Sequence, residues 1–215
     1  MQGPIDRRSW PPQRRAAPAE SWGPVALLVA TGEVAAFQIG KIPLSLSYLQ
    51  SDFGFDLVMA GWVASLFAVM GAVCAVLLSL TLSVFGLKPM LLSGLMISMC
   101  ASLWGSMTPD VSWLLVTRAF EGLGFILCVL CLPPLIGQLA PKGQASAAMA
   151  YWAMYLPLGT CVMLLISAVI LPIVSWPGVW VVSALALLGM AWPIARLEVP
   201  QRHSGNTSGR FVPQM

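Results

Sequence analysis

Residues 113–133 read Trp113-Leu-Leu-Val-Thr-Arg118-Ala-Phe-Glu121-Gly122-Leu-Gly124-Phe-Ile-Leu-Cys-Val-Leu-Cys-Leu-Pro133. The run is long and apolar enough to cross a bilayer, yet it holds an arginine and a glutamate one helical turn apart. A charge at the centre of a membrane helix costs about 3 kcal/mol even on lenient insertion scales. Such residues persist where they face a bundle interior, a partner or water. The stretch therefore proposes a polar pathway, and the remaining sequence reads as its container.

Composition agrees with a membrane setting. Of 215 residues, 58% are hydrophobic and only 9% are charged, and mean hydropathy is +0.84. A soluble domain carries about 25% charged residues. The net charge of +3 is dispersed, and no basic stripe with interleaved aromatics suggests a nucleic-acid partner. All five cysteines, Cys74, Cys100, Cys128, Cys131 and Cys161, fall in apolar stretches and read as small core residues. Cys128-Val-Leu-Cys131 has no second ligand pair, so no metal site or cofactor is expected. No nucleophile, base and orienter can be assembled, and an enzyme is not expected.

Six apolar spans are expected, at about 24–49, 58–85, 90–107, 111–134, 144–171 and 179–195. Each is near the ~20 residues needed to cross ~30 Å of hydrocarbon. The fold class is thus an all-α membrane protein, a six-helix bundle over residues 24–196. Residues 1–23, with Arg7, Arg8, Arg14 and Arg15 among prolines, read as a disordered N-tail. The apolar run that follows is too long for a signal peptide. Residues 197–215 form a C-tail. Every lysine and arginine outside the spans falls in the N-tail, the 2–3 turn (Lys88), the 4–5 turn (Lys142) or at the C-terminal end from Arg196 onward. The other turns hold Asp52, Asp56 and Asp110 instead. By the positive-inside rule both termini are cytoplasmic, in the plasma (cytoplasmic) membrane.

Four ionisable residues lie inside spans: Glu33 and Lys41 in the first, Arg118 and Glu121 in the fourth. At ~1.5 Å per residue, Lys41 and Arg118 lie at matching depths, roughly 8–9 Å below the outer surface. Glu121 lies roughly 13 Å down and Glu33 nearer 20 Å on the same rise. Spans one and four run antiparallel, so cross-helix contact is expected. Two readings stand. In one, the charges are an ion-pair network pinning helices together; in the other, they line a cavity and exchange partners with substrate or proton. Arginine presents a fork of donors suited to planar anions. Gln38, one turn before Lys41, adds an amide to the same wall. Trp152 and Tyr155 read equally as cavity lining or packing. Small residues Gly61, Ala64, Ala68, Gly71, Ala72 and Ala75 recur in span two, where they let helices approach closely.

Arg118-Ala-Phe-Glu121-Gly122-Leu-Gly124 resembles the fourth-helix Arg-x-x-x-Gly-x-Gly motif of the major facilitator superfamily. The short 2–3 turn, Pro157-x-Gly159 in helix five and Trp176-Pro-Gly-Val-Trp180 opening helix six agree with it. Gly61-Trp-Val-Ala-Ser and Pro133-Pro134 look most like the cyanate-permease-type branch. The resemblance covers residues 24–199 and matches one N-terminal six-helix half. Gly122, Gly124, Pro157 and Gly159 would be its helix-packing positions. The family's 2–3 loop motif aligns with Ser79–Lys88, where only Gly86 and Lys88 match; Ser83, Val84 and Leu87 replace its charges.

The resemblance implies alternating-access transport of a small molecule, with an organic or inorganic anion as one substrate class and protons for coupling. Arg118 would attract the anion, Glu121 and Lys41 would trade salt bridges with it, and Glu33 would be the proton site. A half of this kind needs a homodimer or a separate second half. The alternative is a truncated, non-transporting remnant that survives as a membrane-embedded interaction protein.

Overall fold

Interruptions in backbone hydrogen bonding, rather than changes in hydrophobicity, divide the chain into its helices. The computed structural model describes residues 21–199, whose regular structure is helical. Residues 1–20 and the C-terminal residues from 200 onward, expected to be polar tails, lie outside the described residues.

The first two helices, α1 (Gly23–Gly40) and α2 (Ile42–Phe53), form one run with a step at Lys41. Pro43 explains the step: its nitrogen has no hydrogen to give to the carbonyl one turn back. At Gly54, φ of 65° is left-handed, a conformation that glycine adopts without a side-chain clash, and α2 stops there. α3 (Leu57–Phe85) and α4 (Leu87–Gly105) meet at Gly86, with φ of 83°. α5 (Val111–Leu139) begins where Asp110 Oδ1 accepts from the backbone N–H groups of Ser112 and Trp113, at 2.8 and 3.0 Å. It continues through Pro133-Pro134 to Leu139, beyond the end expected from the prolines. Packing overrides that local signal, since Leu132, Leu135, Ile136 and Leu139 are all buried.

α6 (Ala145–Ala153) and α7 (Tyr155–Arg196) divide at Met154, just ahead of Pro157. Inside α7 the backbone leaves helical geometry at Ser175, with φ 60° and ψ −171°. That point falls just before Pro177, where the sequence places a turn. Among the described residues, five segments are long and apolar enough to span a membrane: Gly23–Phe53, Leu57–Ala75, Leu87–Gly105, Val111–Leu139 and Ala145–Arg196.

α5 packs on α3, α4 and α1, while α7 packs on α1 and α4. Glycines set the closest approaches. A Cβ on Gly124 would stand 2.6 Å from the Gly94 carbonyl of α4, and one on Gly94 would stand 2.8 Å from the Gly124 carbonyl. Gly122 lies against the Phe67 backbone of α3, and Gly159 against Glu33 and Ala36 of α1. Pro157, grouped with these positions by sequence, is exposed. The small residues of α3 divide between two faces: Gly71 is buried towards α5, whereas Gly61, Ala64, Ala68 and Ala72 are exposed. On the side facing the chain termini, Lys88 Nζ donates to the carbonyls of Ala195 and Leu197 at 2.8 and 2.7 Å. The one lysine left in the 2–3 turn thus caps the end of α7.

Two apolar clusters fill the bundle. One holds Leu91, Leu95, Cys128, Leu132, Leu135 and Leu187, and the other holds Leu49, Leu114, Met163, Val179 and Trp180. In α5 the buried polar residues Thr117, Arg118 and Glu121 sit between Leu114 of one cluster and Leu127 of the other, and in α7 Ser183 sits between Trp180 and Ala184; Ser102 of α4 joins this layer.

Candidate functional site: a buried two-cation, one-carboxylate cluster

Glu121 projects from α5 into that polar layer and meets both membrane cations. Its Oε1 accepts from Lys41 Nζ at 2.5 Å, and its Oε2 accepts from Arg118 Nη1. All three side chains are sealed from solvent, with relative exposures of 0% for Lys41 and Glu121 and 1% for Arg118. The Arg118–Glu121 pair follows directly from an i, i+3 spacing on one helix face. Lys41 reaches it from the step between α1 and α2, where Ser45 Oγ donates to the Lys41 carbonyl at 2.6 Å.

Neutral groups complete the shell. Ser102 of α4 donates to Glu121 Oε1 at 2.7 Å and accepts from Lys41 Nζ at 3.0 Å. Gln38 takes Arg118 Nη1 on its backbone carbonyl at 3.1 Å, and its side-chain Oε1 lies 3.1 Å from Ser102 Oγ. Arg118 Nε donates to the Val63 carbonyl of α3 at 3.4 Å. Ser183 Oγ of α7 lies 3.4 Å from Ser102 Oγ. Aromatic faces close two sides: Lys41 Nζ is 4.6 Å from the Trp180 ring centre, and the Arg118 guanidinium is 4.9 Å from that of Phe67. Cations over ring faces are attracted by the ring quadrupole.

Two donors in this neighbourhood have no protein partner. Gln38 Nε2 and Trp180 Nε1 are buried and unpaired. A buried polar group without a partner costs about 1–3 kcal/mol. Two cationic side chains therefore share a single carboxylate, with two spare N–H donors on residues that touch them.

The structure brings together Lys41, Arg118, Glu121 and Gln38, four of the five residues picked out by sequence. Glu33 stands apart. At ~100° per residue on a helix, it points about 140° away from Gln38, and it is half-buried on a different face of α1. Trp152 is buried in the core and stacks on Tyr155 with ring centres 3.9 Å apart, a packing role. Trp176 is buried and donates to Asp52 Oδ2 at 2.7 Å. Ser102, Ser183, Trp180 and Phe67 were not picked out by sequence. Ser98 and Ser102, one turn apart on α4, were the signal for the serine. Among the described residues, no cluster of three histidine, cysteine, aspartate or glutamate side chains could hold a metal.

The polar layer sits inside an all-helical bundle whose long segments are apolar enough to span a membrane. The family model described as Major Facilitator Superfamily matches residues 28–213. No curated protein matches the chain. Superfamily members are membrane transporters. On the match over most of its length, together with this fold, the chain belongs to the major facilitator superfamily and is a transporter-type membrane protein.

Proposed function

We propose that the protein moves a small anion across the plasma membrane by alternating access, acting as one six-helix half beside a second bundle. One observation carries the anion reading: two buried cations share one carboxylate while Gln38 Nε2 and Trp180 Nε1 lack acceptors. An anion supplies what the site lacks, negative charge and acceptor atoms. Arg118 offers it a planar fork of donors. Glu121 and Lys41 release one another as the anion enters, so the site opens only when the bundle moves. Glu33, half-buried and away from the cluster, is the site proposed for proton coupling.

The topology proposed is six crossings with both termini cytoplasmic. Ala145–Arg196 covers 52 residues, about 78 Å at 1.5 Å per residue, which exceeds two bilayer crossings of ~30 Å. The break at Ser175 divides it between crossings five and six. Lysine and arginine placement supports the orientation. A second bundle is required because one half presents only one wall of a central path. Likeness to the cyanate-permease-type branch rests on the sequence motifs alone.

One observation favours a second reading. The cluster is sealed on all sides, as suits an ion network that only pins α1–α2 to α5. A remnant that does not transport would keep such a pin. Uptake separates the two. Proteoliposomes are assayed with labelled acetate, bicarbonate, nitrate and phosphate, using wild type and Arg118→Leu. Transport predicts uptake of at least one anion by wild type and its loss in the variant, with membrane insertion unchanged. Uptake unaffected by Arg118→Leu overturns the assignment; no uptake above empty liposomes favours the remnant.

A further inference from the structure

A cavity of about 530 Å³ opens beside the first half of α1, lined by Trp22, Ala26, Val29, Ala30 and Glu33 of one helix and Tyr151 of α6. The α1 residues recur at helical spacing and form one continuous face. Ala26 and Ala30 contribute little bulk, which leaves the groove. Trp22 and Tyr151 meet edge to face at its rim, with ring centres 5.5 Å apart. Glu33 lies at the other end, eleven residues along, or about 16 Å at 1.5 Å per residue. Its volume is that of an ordinary small-molecule site.

Glu33 is the odd group in this wall. It lies within a segment apolar enough to span the membrane, and among the described residues no hydrogen bond or ion pair reaches its carboxylate. Lys41 and Arg118, the two cations of the bundle interior, are taken by Glu121. Eight residues separate Glu33 from Lys41, about 12 Å along the helix axis, so the two sites are distinct. An unpaired carboxylate in this setting costs about 3 kcal/mol, which a bound cation would offset. Ring faces at the rim attract ammonium groups and stack on aromatic bodies. A small inorganic ion would leave the apolar groove unfilled.

We infer that this groove is a second binding site, for an organic ammonium whose charge pairs with Glu33 and whose apolar body lies along α1 towards Trp22 and Tyr151. The ammonium belongs to a soluble amine, since a lipid whose head group reached Glu33 would have to run its chains back toward the membrane surface at Trp22. The site is separate from the anion cluster but uses the carboxylate proposed above for proton coupling, so an ammonium and a proton would compete there; its test reads binding, not uptake.

The intact chain is placed in nanodiscs of phosphatidylglycerol, whose head groups carry no amine, and titrated calorimetrically with benzyltrimethylammonium. Wild type should bind saturably, with one probe per chain. Glu33→Gln should weaken binding by about ten-fold, the equivalent of 1.4 kcal/mol. Glu33 is partly exposed, so the folded bundle should survive the change. Binding by Glu33→Gln equal to wild type overturns the proposal, as does purely non-saturable partitioning of the probe.

Discussion

Glu121 neutralises one positive charge but touches two, and this asymmetry makes the three residues unequal. Replacing Glu121 by Gln leaves Lys41 and Arg118 buried together without a counter-charge. Breaking a buried pair by removing one partner costs about 3–5 kcal/mol. Lys41→Met instead leaves Arg118 paired with Glu121, whose Oε1 still accepts from Ser102 at 2.7 Å. Thermal unfolding in detergent should therefore show a large drop in midpoint for Glu121→Gln and little change for Lys41→Met. Equal drops would mean that the cluster does not share its charge as the geometry indicates. The same asymmetry explains what could be read from sequence at this scale. The Arg118–Glu121 pair is local and follows from spacing, and Lys41 follows from depth. Trp180 and Ser102 depend on how α7 and α4 are rotated about their axes, which apolar periodicity in a membrane helix does not fix, because lipid and core are both apolar.

At the scale of helices, glycines and backbone breaks carry the arrangement. Gly124 and Gly94 let α5 and α4 meet backbone to backbone, replacing the hydrophobic effect with close packing. A side chain at Gly124 has nowhere to go: Gly124→Leu should cost about 1–3 kcal/mol or more as overpacking, read as a lower unfolding midpoint. Gly137→Leu, on the same helix but in open space, should unfold like wild type; equal losses at both positions would contradict the contact. Ser175 offers the opposite test. Its positive φ strains an L-residue by about 1–2 kcal/mol, and Ser175→Gly should raise the midpoint. A fall would show that its hydroxyl matters more than its backbone. Helix existence was legible from the apolar runs, and Asp110 and Gly86 marked real ends. The end of α5 was not, since core packing carries it past two prolines, and Glu33 was grouped with the cluster although its helix face turns it elsewhere.

For the whole molecule, the proposed role as half of a transporter requires a second wall. α3 contributes small side chains to an exposed face at Gly61, Ala64, Ala68 and Ala72, with Trp62 and Val69 beside them, and much of α7 is exposed as well. Lipid covers such surfaces as readily as protein does, so exposure alone does not choose between them. Mass does. The direct measurement is the mass of the protein extracted into native-lipid nanodiscs without detergent. Pairing of two copies predicts a protein mass twice the 23.0 kDa of one chain, and a single-chain mass without any associated helical partner would contradict the claim that this bundle works as half of a transporter.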